Sequence, residues 1–133
     1  MEKKMNRQRV QSEFEKYVSH YDTADPKIRL KIEHTYKVAD LCERIARSLS
    51  MSEEEITAAW ICGMLHDIGR FEQVHRFHTF IDAESVDHAK FGAELLFGEK
   101  KLICRFLDKT DWYERIRDAI YWHSAYRLPD SLK

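Results

Sequence analysis

The sequence predicts an all-α fold, a single compact bundle of about six helices. Three observations carry that reading. Four Gly and two Pro among 133 residues are too few for the many turns of an all-β chain. Apolar residues recur at helical spacing in one segment after another, and no alternation of the strand kind is sustained. Helix-start signals stand at the segment borders: Asp25 before Pro26, Ser52 three residues before Glu55, and Asp111 three before Glu114. The length suffices for one real core, and no repeat or Pro/Gly/Ser-rich linker divides it. Residues 1–133 are therefore expected to form one domain, with its core within about 28–129.

The elements follow in order. Residues 9–20 form a first helix with Val10, Phe14, Tyr17 and Val18 on one side. A second runs from Pro26 to about Leu49, where His34, Val38, Leu41 and Ile45 recur at helical spacing, so that His34 faces the core. The third starts at the Ser52–Glu55 capping box and continues into Trp60-Ile61-Cys62-Gly63-Met64-Leu65-His66-Asp67-Ile68-Gly69-Arg70. Its apolar run has no polar face, which reads as a helix buried on all sides, and it ends abruptly in His66-Asp67. Gly69 stands where a chain leaving a helix often needs a positive φ. Residues 70–84 hold Phe71, Phe77, Phe80, His75 and His78 without sustained period and are expected to form a loop over the site. Ser85 opens a helix with His88, Gly92 and Leu95 on one face, stopped at Gly98. A short helix over about 99–107 precedes a last one that aligns Ile116, Ala119, Ile120 and His123 before Leu128-Pro129.

Charge and composition exclude several functions. A formal net charge of -1 gives no general electrostatic case for a nucleic-acid partner or a membrane surface. The N-terminus is locally basic (Lys3, Lys4, Arg7, Arg9), but no apolar stretch follows, so neither a secretory signal nor a membrane span is expected. Cys42, Cys62 and Cys104 are odd in number, far apart and set among apolar residues, which reads as reduced core thiols and a cytoplasmic location.

The chemistry lies in the histidines. His34, His66, His88 and His123 lie on, or at the end of, apolar faces of four different helices. One such imidazole is ordinarily explained by a hydrogen bond in the core. Four of them, with Asp67 beside one, would each need a separate buried partner, whereas convergence on a metal satisfies them together. Imidazole and carboxylate without thiolate suit one or two divalent ions of Mn, Fe, Co, Ni, Zn or Mg. His20, His75 and His78 read as surface or solvated loop residues.

The order His34, then His66-Asp67-Ile68-Gly69, then His88 and His123 resembles the HD superfamily of metal-dependent phosphohydrolases, in its His-Asp-Ile-Gly form. Asp87-His88-Ala89-Lys90-Phe91-Gly92-Ala93-Glu94-Leu95-Leu96 and Ala119-Ile120-Tyr121-Trp122-His123-Ser124 resemble the segments around the family's later histidines. The likeness runs from about Ile28 to Pro129. It implies an all-helical fold, with His34, His66 and Asp67 as primary metal ligands. His88 and His123 would serve a second metal or contact the substrate phosphate. Arg70 stands where many relatives carry a basic residue; it would pair with phosphate or lie on the surface beside Glu72. The implied reaction is hydrolysis of a small phosphate ester, commonly a nucleotide, by a metal-activated water for which Asp67 is both ligand and proton acceptor. Asp82, Glu84 and Asp87 stand as acceptors for ligand histidines or as helix-start acids. One departure from the family pattern concerns a further Asp ligand one helix beyond His123; only Asp130 stands in the ten residues that follow, so either the chain is truncated at its C-terminus or Asp130 substitutes. The alternative reading is therefore a metal- or nucleotide-binding regulatory domain without turnover. Absence of that last helix would bare apolar surface and favour a homo-oligomer.

Overall fold

A computed structural model describes residues 5–85, 87–98 and 101–122. Six α-helices make up the bundle, with no strand among the described residues: α1 (Arg7–Val18), α2 (Pro26–Ser48), α3 (Glu53–Leu65), α4 (Ile68–Phe77), α5 (His88–Phe97) and α6 (Tyr113–Trp122). Short 3-10 turns at Asp82–Glu84, Leu102–Arg105 and Thr110–Trp112 join the later elements.

The helix starts have local causes. Asn6 and Asp25 accept from the amides of Arg9 and Lys27, and Ser52 and Glu55 complete a reciprocal capping box. Asp87 accepts from the amides of Ala89 and Lys90 at the start of α5. The core is drawn from all six helices: Val10 and Phe14, Ile28 and Ala39, Ile61 and Met64, Ile68 and Phe71, Ala93 and Leu96, Ile116 and Ile120. Phe14 and Phe71 meet edge to face, with ring centroids 5.9 Å apart.

Three expectations change. Residues 68–77 are helical, where a loop was expected from residue 70. Ile68, Phe71 and Val74 form a buried stripe, but the polar Gln73 is buried among them and charged residues interleave. Gly69 has no positive φ. A Cβ there would stand 2.5 Å from His88 O and 2.9 Å from Gly92 N, so the glycine lets α4 touch α5 backbone to backbone. The expected helix over 99–107 appears, within the described residues, as the 3-10 turn Leu102–Arg105.

The core face of α2 also differs. It is lined by Ile28, Thr35, Ala39 and Ala46, while Leu41 and Ile45 are exposed. The reason is close approach: a Cβ on Gly63 of α3 would fall 2.5 Å from Ala39 Cα, so small residues face α3 and the bulkier stripe turns outward. Cys104 is exposed, contrary to its core assignment, and all three cysteines are free. Burial pushes the Cys62 thiol up to about 12. Among the described residues, no helix is long and apolar enough to cross a membrane.

Candidate metal centre

The site forms where α3 stops and α4 begins. His66 ends α3 in a helical conformation, and Asp67 stands at the N-cap of α4 with φ −108 and ψ 19. An aspartate at that position ordinarily caps the amides of the first turn. Asp67 makes no such bond. Its side chain, 6% exposed, is turned instead toward the imidazoles of three helices and one ammonium.

Asp67 Oδ2 lies 3.2 Å from His66 Nε2, 3.5 Å from His34 Nε2 and 3.4 Å from Lys31 Nζ. Asp67 Oδ1 lies 3.3 Å from His88 Nε2. His66 Nδ1 is 2.6 Å from Gly63 O; a carbonyl only accepts, so Nδ1 carries a proton and Nε2 is the nitrogen turned toward Asp67. His34 stands at the rim with its side chain 45% exposed, not within the core as its spacing suggested. Burial and the Lys31 ammonium hold the His34 imidazole below its ordinary value, so the ring is neutral and a competent ligand at pH 7.

The donor set fits a divalent ion. One atom each from His34, His66 and Asp67 lie within 4.8 Å of one another. Two ligands bonded to one ion at about 2.0–2.1 Å stand roughly 3.0–3.4 Å apart, the range of the His66–Asp67 contact and just under that of His34–Asp67. An imidazole nitrogen and a carboxylate oxygen 3.2 Å apart are two atoms that one cation can bond at once.

His88, at the first position of α5, is buried and bridges two carboxylates: Nε2 faces Asp67 and Nδ1 is 2.8 Å from Asp82 Oδ2. Arg70 is partly buried on α4. Its Nη1 donates to Gln73 Oε1 at 2.8 Å, Phe80 O at 2.5 Å and Asp82 Oδ1 at 2.9 Å. It is thus neither the surface partner of Glu72 nor a wholly open phosphate donor. Glu72 instead accepts from Tyr21 and Arg76. His123 and Asp130 lie outside the described residues. His75 and His78 are exposed at the far end of α4, as expected of solvated residues.

Two residues escaped the sequence reading. Lys31 sits three residues before His34, which places both on the same helix face, and its ammonium lies 5.2 Å from the Phe80 ring. Gln73 is fully buried and ties Arg70 to Asp82. The signal for Lys31 was its spacing from His34; for Gln73 there was none, because α4 was not foreseen.

A family model described as HD domain matches residues 32–130. Among curated proteins, the chain is 26% identical over 96 residues to the 3'3'-cGAMP-specific phosphodiesterase 1 of Vibrio cholerae serotype O1, which covers 64% of this chain and 22% of that relative. The chain thus spans well under half the length of the relative it matches. No solved structure matches the chain. The family match contains His34, His66, Asp67 and His88, the residues that converge at the α3–α4 junction, and the chain belongs to the HD domain family of metal-dependent phosphohydrolases.

Proposed function

We propose that the protein hydrolyses a small phosphate ester, a nucleotide in the first instance, with a divalent ion held by His34, His66 and Asp67. The observation that supports this is the buried Asp67 carboxylate with three imidazoles aimed at it from three helices. A nucleotide substrate accords with the 3'3'-cGAMP-specific phosphodiesterase 1 to which the chain is similar. A divalent ion bound there supplies a water of lowered pKa and offsets charge on the phosphate oxygens.

The chain's own residues do the rest. Asp67 would hold the ion with the two histidines, and its carboxylate would accept the water proton. The rings of His34 and His66 complete the set, and His88, with His123 beyond the described residues, would serve a second ion or the phosphate. Lys31, 3.4 Å from Asp67 Oδ2, adds a cation at the mouth of the site. Arg70 has committed Nη1, but its Nη2 makes no hydrogen bond among the described residues and is the group for a phosphate oxygen. Phe80, beside both Lys31 and Arg70, supplies an apolar face for a base.

The test pairs metal content with turnover. The purified chain, loaded with Mn, Co or Zn, is expected to hold one or two equivalents and to hydrolyse a generic phosphodiester or phosphomonoester. His66→Ala and Asp67→Ala are expected to lose both properties while keeping a helical circular-dichroism spectrum. Full activity in either variant would sink the assignment. Metal uptake without turnover on any phosphate ester would favour the regulatory reading.

A further inference from the structure

We infer that Asp82 is a positioning residue of the metal centre, holding the His88 ring in the tautomer and orientation that aim Nε2 at Asp67. The inference rests on the reading of His88 as a ligand proposed above. Asp82 Oδ2 lies 2.8 Å from His88 Nδ1 and also accepts from the His88 backbone N–H at 3.3 Å. A carboxylate can only accept, so Nδ1 carries a proton toward Asp82, and Nε2 is the nitrogen left to bond a cation held between it and Asp67 Oδ1, 3.3 Å away.

Asp82 is itself held. Its Oδ1 accepts from Arg70 Nη1 at 2.9 Å and from Gln73 Nε2 at 3.0 Å. Gln73 is fully buried, takes Arg70 Nη1 on its Oε1 and donates also to Ser85 Oγ at 2.9 Å. Arg70 and Gln73 are three residues apart on α4, so one face of that helix fixes Asp82, and Asp82 fixes the first residue of α5. Every link from Arg70 and Gln73 through Asp82 to the His88 ring is a hydrogen bond of 2.8–3.0 Å, the kind of support that a ligand orientation requires.

Asp82, Asp87 and His88 also present ligand-type atoms within 4.8 Å of one another, yet that cluster is better read as a brace than as a second cation site. The oxygens of Asp82 already meet Arg70, Gln73 and His88, and Asp87 Oδ1 accepts two amides at the start of α5. The negative charge there is met by a guanidinium and a helix N-terminus.

The experiment uses the metal-free, 15N-labelled chain and then Mn. Long-range 1H–15N spectra at pH 8 are expected to show His88 protonated on Nδ1 in the wild type, a signature lost in Asp82→Ala. Calorimetric Mn titration is expected to show affinity lowered about 10–100-fold in Asp82→Ala. His88→Ala should lose as much, and the double variant His88→Ala/Asp82→Ala should lose no more, because one residue acts through the other. Asp82→Asn keeps the shape and serves if the alanine variant does not fold; its expected loss is smaller than that of Asp82→Ala. A wild-type His88 protonated on Nε2, or losses that add in the double variant, would overturn the inference. If the wild type takes up no Mn while the Nδ1 signature and its loss in Asp82→Ala persist, the positioning contact stands and only the hydrolase reading fails.

Discussion

Around Asp67 one buried carboxylate meets three imidazoles and one ammonium, and the ammonium has the clearest separate consequence. Lys31 Nζ competes for the oxygen that His34 and His66 also face. In the metal-free protein it offsets the Asp67 charge; beside a bound cation it repels. Lys31→Met is therefore expected to act in two directions. The metal-free variant should be less stable by about 1–3 kcal/mol in urea unfolding, as for loss of a charged partner to a buried group. Its Mn affinity should rise several-fold. A variant that loses both stability and affinity would show that Lys31 supports the metal site rather than competing with it. His66, Asp67 and His88 were legible in the sequence because polar groups on or at the end of apolar helix faces demand an explanation; His34 was picked out on the same ground although it stands at the rim. Lys31 was not, because a lysine is exposed by default, which outweighed the one signal it had, its spacing from His34.

At the scale of the element, α4 is the segment that sequence periodicity did not foresee. Its stripe of Ile68, Phe71 and Val74 is narrow, its polar Gln73 is buried, and Gly69 near its start resembles a stop. The contact with α5 resolves the last point. Gly69→Ala would press a methyl group onto His88 O and Gly92 N, both backbone atoms. The expected cost is that of overpacking, about 1–3 kcal/mol, together with weaker Mn binding, because His88 must shift. Gly92→Ala is the milder partner: its nearest atoms stand 3.2 Å and 3.4 Å away. Thermal melts of the two variants that ranked them in the opposite order would contradict the contact described. By contrast, α2 and α3 were legible almost to their ends, since Asp25 and the Ser52–Glu55 pair cap them as local chemistry dictates, whereas α1 starts at Arg7 after the Asn6 cap, two residues before the expected 9–20. The face of α2 was misread because close packing selects small residues, which carry a weak hydrophobic signal.

Across the whole molecule, polar ties close the bundle from outside the core. The Tyr21 hydroxyl donates to Glu72 Oε2 at 2.6 Å and Arg76 Nε donates to Oε1 at 2.7 Å, which joins the end of α1 to α4. Arg9 clasps Asp108 and the carbonyls of Cys104 and Arg105. Burial opposes the charge on Glu72, but hydrogen bonds from Tyr21 and Arg76 outweigh it and hold the carboxyl below its ordinary value. A depressed folded value means that this tie contributes fully above about pH 4.3, the ordinary value of a glutamate, and is lost as pH falls through the folded one. Glu72→Gln should accordingly melt below the wild type at pH 6, with a gap that closes toward pH 3. A gap constant across that range would show that the ionised carboxylate is not what matters.

The unequal exposure of the metal-site side chains has a kinetic side. His88 and Asp67 are sealed between helices that touch backbone to backbone, whereas His34 stands at the rim on α2. Opening between α4 and α5 would break a packed backbone contact; a rotamer change at a half-exposed ring is far faster. With the ligand set proposed above, His34 would be the doorway for an ion. It would close last and let go first, so chelator-driven release of the ion is expected to follow the swing of that one ring.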